Sequence, residues 1–306
     1  ESFENGWVWK IPLHDGTTSV GVVMDADWAQ AEIKKSSVDS LFERQVLLTN
    51  EISTLLKQAT FKNETYLIKD WSYVTTKMTG DGYALVGDAA CFIDPLFSSG
   101  VHLALQSGVL AAAYAATVIR SPDLARSAAR QYEATYRRRY GYFHELARLF
   151  YGSNKSLDSQ FWRNRSLNEE NWSDTSREEF INVVAGNAPE GYERVVIDQG
   201  HAPKNFVNAL EEAENSRVER ATLSQQFSNT ELLLKSPKLI DQARLVKGAT
   251  LGDGIYELGY LLQTPARPEG YPVIAPIALL LNLIDQKRTV GSLAKEVAST
   301  LELDDV

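Results

Sequence analysis

The sequence predicts a mixed α/β fold with a mainly helical C-terminal lobe, and three observations support that prediction. An alternating apolar stretch over residues 6–24 is typical of a β-hairpin. A short apolar run, a Gly-Asp pair and a helix rich in small residues follow one another over residues 83–119. Four stretches within residues 153–306 show the apolar spacing of helices. With 306 residues and 44% apolar content, the chain can bury a substantial core in each of two lobes, predicted at 1–152 and 153–306.

Composition argues against several classes of partner. The net charge of -9 argues against nucleic acid, because phosphate binding needs clustered Lys and Arg. Cys91 is the single cysteine, which rules out an intrachain disulfide, argues against a cysteine metal site and favours a reducing compartment, the cytoplasm. No window reaches the roughly 18 unbroken apolar residues that a membrane span needs. We therefore expect no nucleic-acid partner, no membrane and no bound metal.

The hairpin is predicted from strict alternation. It places four large apolar side chains on one face of the first strand, namely Trp7, Trp9, Ile11 and Leu13. Residues 14–17 predict the turn, and residues 18–24 the returning strand. A tryptophan pair two residues apart suits a sheet face packed on a core as well as a functional role.

Helices and a further strand follow. Residues 27–61 are predicted to be mostly helical, with a break at Ser36-Ser37, because apolar residues recur at three- and four-residue spacing. Residues 66–76 predict a strand. Trp71 and Tyr73 share a face of that strand, where they would line an aromatic pocket or fill the core.

The stretch from residue 83 to residue 101 carries the clearest chemistry. Tyr83–Val86 predicts a buried strand, which Gly87-Asp88 ends. Pro95 then fixes a turn, and Ser98-Ser99-Gly100 removes side-chain bulk before a helix that starts near Val101. Free backbone N–H groups and the helix dipole at such a start favour a polyol or an anion. An ordinary strand-to-helix connection is the simpler interpretation of Gly-Asp alone.

Two long helices are predicted next, at residues 101–119 and 123–151, separated by Ser121-Pro122. The small residues of the first would allow close approach to a neighbouring element. The second carries an aromatic and apolar stripe that we expect to be mostly core, comprising Tyr132, Tyr136, Tyr140, Phe143, Leu146 and Phe150. Arg137-Arg138-Arg139 is expected on a solvated face.

The C-terminal lobe begins in the polar, Asn-rich stretch 153–174. Glycine, proline and tyrosine between residues 249 and 273 predict short strands and loops. The last two helices would form a helix–turn–helix or winged-helix shape with a packing or lid role. The predicted helices of this lobe are 176–185, 204–234, 277–284 and 290–301.

Two motifs, in this order, resemble those of a known family. Trp7-x-Trp9-x-Ile11-Pro12 matches the W-x-W-x-I-P motif that distinguishes flavin-dependent halogenases from related hydroxylases. Gly87-Asp88, Asp94-Pro95 and Ser99-Gly100 resemble the second FAD fingerprint of the flavoprotein monooxygenase superfamily. The sequence GDAACFIDPLFSSGVHLAL is similar to that of the flavin-dependent halogenases within this superfamily, and it most resembles the fungal, phenol-type enzymes.

The resemblance implies an FAD-dependent monooxygenase-like fold. No G-x-G-x-x-G follows a strand here, although such a flavoprotein carries that motif near its N-terminus. We therefore expect this chain to be the C-terminal part of a larger enzyme, without the dinucleotide-binding part and the catalytic lysine, and inactive alone.

The resemblance also implies a reaction. FAD, reduced by a separate flavin reductase, reacts with O2 to give a flavin hydroperoxide, which oxidises chloride to hypochlorous acid. A lysine then passes the chlorine to an electron-rich aromatic substrate, either free or bound to a carrier protein. The expected product is a chlorinated secondary metabolite.

Site roles follow from the same resemblance. Asp88, next to Gly87, would bind the ribityl chain of FAD. Pro95, Gly100 and Val101 would shape the flavin edge. The backbone N–H groups of Ser99 and Gly100 would hold the halide, and Trp7 and Trp9 would wall off the passage between flavin and substrate.

Phe97 bears on the substrate. Halogenases that act on tryptophan carry a loop resembling P-L-E-S-T-G, whose Glu lies near the reacting carbon, whereas this chain has Phe97 in that place. Phe cannot accept a proton, so we expect a phenol, then a pyrrole, before tryptophan. The alternatives are that Phe97 merely packs, that the enzyme is a flavin hydroxylase of the same fold, or that the chain is a non-catalytic interaction module.

Overall fold

The computed structural model describes residues 1–62, 65–69, 72–154, 159–165, 204–226, 229–265 and 267–302. These residues form two compact units. The first unit holds residues 1–69, 145–165 and 204–209 of the described set, and the second holds the remainder. The lobe division at residues 152 and 153 stays a prediction.

The first unit is built on the predicted hairpin, which is confirmed. Strands β1 (Ser2–Phe3), β2 (Gly6–Pro12) and β3 (Thr18–Met24) form one antiparallel sheet. Trp7 faces Val23 across the strands and Trp9 faces Gly21. Helices α1 (Ala26–Ile33), α2 (Val38–Leu47) and α3 (Asn50–Leu55) follow.

The break between α1 and α2 lies where it was predicted. The Ser37 side chain accepts the Ser40 N–H and caps α2 at its start. One core cluster of this unit contains Val8 of β2 together with buried residues of β1, α2 and α3, namely Phe3, Val46 and Ile52.

The second unit begins with short strand pairs, and here two predictions were wrong. Among the described residues of the strand predicted at 66–76, only Tyr73–Val74 form a strand, β4, and Trp71 lies outside the described residues. Of the buried strand predicted at 83–86, only β6 (Tyr83–Ala84) forms, and Tyr83 is exposed. β5 (Thr79–Gly80) pairs with β6, and β4 pairs with β7 (Cys91–Phe92). Each of these pairs is two residues long on either strand.

Helices α4 (Gly100–Arg120) and α5 (Ala125–Ser153) were both predicted, and a 3-10 turn at Pro122–Leu124 separates them. The aromatic stripe of α5 is largely core, as predicted, with Tyr132 and Tyr136 fully buried. Length and composition alone would let α4 cross a membrane, a test that core helices of soluble proteins also pass.

The arginine run of α5 does not lie on a solvated face, so that prediction was wrong. Arg137 donates to the Thr76 carbonyl at 2.8 Å, and Arg138 pairs with Glu269. All three arginine side chains are half-buried, because neighbouring segments supply acceptors that the local sequence does not reveal.

The C-terminal part contains more sheet than predicted. In place of short strands and loops, β8 (Arg244–Leu251), β9 (Tyr256–Thr264) and β10 (Arg267–Val273) form an antiparallel meander. The predicted helix at 176–185 lies outside the described residues. The helices that the structure describes in this part are α6 (Gln160–Arg165), α7 (Lys204–Gln226), α8 (Asn229–Leu233), α9 (Ala275–Leu283) and α10 (Val290–Thr300).

Candidate active site

The Gly-Asp pair forms a tight turn against helix α4. Residues Gly87–Ala89 make one 3-10 turn, and Gly87 has a φ of +55°, a conformation that favours glycine. A Cβ on Gly87 would lie 3.1 Å from the Ala104 Cβ. The predicted use of small residues on α4, close approach of a neighbouring segment, is therefore what the structure shows at Ala104.

Asp88 presents an unused acceptor. Its side chain is exposed, and none of the residues that the structure describes donates a hydrogen bond to its carboxylate. Its backbone carbonyl, in contrast, accepts the Tyr73 hydroxyl. The backbone is thus held while the carboxylate stays available, which suits the hydroxyl groups of a ribityl chain.

The loop that follows is fixed by its own side chains. The Asp94 carboxylate accepts the Leu96 N–H at 3.0 Å, and Pro95–Phe97 form a second 3-10 turn. Ser98 then takes a left-handed conformation, with φ +51°, and directs the chain into α4. Pro95 and Phe97 are both half-buried in this loop.

The start of α4 is built from small residues. Ser99 is the residue before the helix and is only 5% exposed, yet its Oγ has no hydrogen-bond partner among the described residues. Leu103 donates to the Ser99 carbonyl, so the N–H groups of Gly100 and Val101 are not used by the first turn of the helix. Val101 is 73% exposed.

Gly100 leaves space that the protein does not fill. A Cβ built there meets no atom within 4 Å, and its φ is not positive, so neither packing nor backbone conformation demands glycine. With the orphaned Ser99 hydroxyl, this gives an open cradle of donors at a helix N-terminus. These donors suit a small anion, and the bare helix start admits a flat ring.

The structure brings together most of the predicted site residues. Within the second unit, the Asp88 turn lies against the first two turns of α4, and Pro95 and Phe97 lie in the loop between them. No group of three or more His, Cys, Asp or Glu side chains in the described part of the chain could hold a metal ion.

Trp7 and Trp9 lie in the first unit. Their ring centroids are 5.7 Å apart. Trp7 is nearly buried, and its Nε1 donates to the Tyr151 hydroxyl at 3.0 Å, whereas the Nε1 of Trp9 donates to Ser19 at 3.4 Å. Tyr151 also packs against Trp162, whose Nε1 donates to the Phe3 carbonyl at 3.0 Å. Trp7 therefore has a structural role, and its role as a passage wall stays a prediction.

Sequence reasoning missed the residues behind the turn. Ser107, Tyr132 and Tyr136 bind backbone groups of residues 85–87, yet they were predicted only as helix and core residues. The tyrosines of the stripe were an available signal. Phenylalanine would fill a core equally well, whereas a buried tyrosine hydroxyl needs a hydrogen-bond partner.

Comparison with known proteins matches one family. The profile of the family described as tryptophan halogenase matches residues 1–215. The flavin-dependent halogenase otaD of Aspergillus niger is 42% identical over 142 residues, which cover 45% of this chain and 30% of that protein. The tryptophan 2-halogenase of Chondromyces crocatus is 34% identical over 170 residues, 55% of this chain and 33% of that protein.

A solved structure matches the whole length of the chain. The crystal structure of CmlS, a flavin-dependent halogenase, superimposes with a TM-score of 0.62 and 26% identity, covering 99% of this chain and 56% of that one. The stretch matched in the two curated relatives spans about a third of their length.

Proposed function

The chain belongs to the tryptophan halogenase family, and from that premise we propose that the complete protein is a flavin-dependent halogenase that chlorinates an electron-rich aromatic, phenolic secondary metabolite. The proposed cofactors are FAD, reduced by a separate flavin reductase, together with chloride and O2. The substrate is a small aromatic molecule, either free or bound to a carrier. The proposed location is the cytoplasm, where the buried Cys91 would remain a thiol.

The observation that carries the proposal is the start of α4. Gly100 has room for a Cβ that the protein does not use, and the buried Ser99 hydroxyl beside it lacks a partner. A buried polar group without a partner costs free energy, and a ligand bound at this helix start would supply the partner that the Ser99 hydroxyl lacks. Halide and flavin both fit that description.

Each residue has a proposed task. Asp88 would accept hydrogen bonds from the cofactor's hydroxyl groups and orient it. Ser99 and the N–H groups of Gly100 and Val101 would bind the halide, whose charge the helix dipole stabilises. Pro95 would keep the loop clear of the ring. Bound flavin supplies oxygen activation and the oxidation of halide.

Removal of the Asp88 carboxylate tests the cofactor site. In Asp88→Ala, we expect FAD affinity to weaken by about 1–3 kcal/mol, because the ligand's hydroxyl groups lose their acceptor. The measurement is the dissociation constant of FAD for the complete protein. Asp123 is the matched control, since it is also exposed and lies in a 3-10 turn, and Asp123→Ala should bind FAD as wild type does. Equal affinity in both variants would remove Asp88 from the site.

The substrate class rests on Phe97. An apolar ring in this loop cannot take up the proton released by the ring intermediate, whereas a phenol stabilises that intermediate through its own oxygen. We expect a competition assay with a polyketide-type phenol, a carrier-bound pyrrole and tryptophan to yield mainly the chlorinated phenol. Tryptophan is included because the Chondromyces crocatus relative is named for it. Preferential chlorination of tryptophan would contradict the assignment.

A further inference from the structure

The peptide group of Gly87 is held by side chains on both sides. Its N–H donates to the Ser107 Oγ at 2.9 Å, and Ser107 in turn donates to the Ala104 carbonyl at 2.9 Å. Its carbonyl accepts the Tyr136 hydroxyl at 3.2 Å as well as the Ala90 N–H at 2.9 Å. Ser107 and Tyr136 are both fully buried.

The residues next to Gly87 are held in the same way. The Tyr132 hydroxyl donates to the Leu85 carbonyl at 2.6 Å, and the Tyr73 hydroxyl donates to the Asp88 carbonyl. Backbone carbonyls on both sides of the turn therefore bind hydroxyls from distant parts of the chain. These contacts hold the backbone that carries Asp88, whose own carboxylate accepts no hydrogen bond within the described residues.

Packing alone does not account for the hydroxyl of Tyr136. Phenylalanine would fill the same volume without burying a polar group, and burial of a hydroxyl is unfavourable unless it is bonded. Desolvation raises the pKa of Tyr136 well above its ordinary value, so the phenol stays a neutral donor. The Gly87 carbonyl already accepts the Ala90 N–H, so it does not need the Tyr136 hydroxyl to avoid being an unpaired acceptor. The second hydrogen bond instead restricts the orientation of the Gly87 peptide group.

We propose that Tyr136 and Ser107 are positioning residues of the flavin site, which fix the Gly87 peptide so that Asp88 points at the cofactor. The inference rests on the proposed function, since it requires that Asp88 binds FAD. Neither residue is proposed to touch the cofactor. Each acts through the turn.

A double-mutant cycle in the complete protein tests the inference, with the dissociation constant of FAD as the measured quantity. Tyr136→Phe is expected to weaken FAD binding about tenfold, the effect of losing one positioned hydrogen bond. In the Asp88→Ala background the same change should alter affinity by less than about twofold, because the acceptor that it positions is gone. Ser107→Ala is expected to behave alike. Tyr136→Phe still tests the inference if Ser107→Ala fails to fold.

The matched control is Tyr140→Phe, which removes a hydroxyl from another buried tyrosine of the same stripe, one turn further along α5. It should bind FAD as wild type does. The inference is overturned if Tyr136→Phe binds FAD as wild type does, or if its effect is equal in both backgrounds. If Asp88→Ala weakens FAD binding while Tyr136→Phe does not, the inference fails and the proposed function stands. If the complete protein binds no FAD, both fail.

Discussion

Replacement of Gly100 by valine is expected to abolish chlorination by the complete protein, with a loss of roughly a hundredfold or more, while the fold persists. The magnitude is that of removing access to a backbone donor that stabilises charge in an active site. Valine would place two methyl groups in the space where halide and flavin are proposed to approach. The fold should tolerate the change, since a Cβ at Gly100 meets no protein atom within 4 Å.

The measurement is chlorinated product formed per unit of enzyme, together with the thermal unfolding temperature. Ala112→Val is the matched control, because it adds the same side chain to an exposed position of the same helix. It should chlorinate at the wild-type rate. Undiminished chlorination by Gly100→Val would contradict the halide assignment. Unfolding of that variant would instead show that the fold itself requires the glycine.

Of the substitutions proposed for this protein, Glu133→Ala is expected to lower the free energy of unfolding the most. The Glu133 Oε1 accepts three hydrogen bonds from the β5 region, from the Met78 N–H at 3.0 Å, the Thr79 N–H at 2.8 Å and the Thr79 hydroxyl at 2.6 Å. Arg137 lies 3.9 Å away. In Glu133→Ala these donors lose a charged acceptor, and the free energy of unfolding should fall by about 3 kcal/mol.

Urea denaturation of the complete protein measures this loss. Glu296→Ala is the control, since Glu296 is an exposed helical glutamate paired with Arg288. Removal of such a surface pair should cost less than about 1 kcal/mol. Equal losses in the two variants would show that the contacts of Glu133 with β5 do not stabilise the fold.

The sequence predicted the elements that depend on local pattern. The alternation around Trp7 and Trp9 gave the hairpin, and Ser37 marked the break between α1 and α2. The loss of bulk at Ser99-Gly100 placed the start of α4 within one residue. Family membership also followed from two short motifs, because the spacing of their residues is as specific for the family as the residue types are.

The failures concern partners that lie far apart in the sequence. Tyr83–Val86 has the composition of a buried strand, but the Leu85 carbonyl binds Tyr132, 47 residues away, and no long ladder forms. The arginine run was misjudged because its acceptors, such as Glu269, lie in another segment. The periodicity of apolar residues indicates which side chains prefer to be buried. It does not indicate which distant polar groups will hydrogen-bond to the buried backbone and side-chain groups.

Helix α4 contributes both to the proposed halide site and to the packing of the Gly87–Ala89 turn. Gly100, its first residue, is the proposed seat of the anion, and Ala104, against which Gly87 packs, follows one turn and about 6 Å later. A shift of the helix that enlarged the proposed halide site for bromide would therefore also displace the Gly87–Ala89 turn, which carries Asp88. Phe97 lies in the loop before the helix and is not one of the proposed cofactor contacts, so an engineer could change ring preference at that single position and leave cofactor affinity intact.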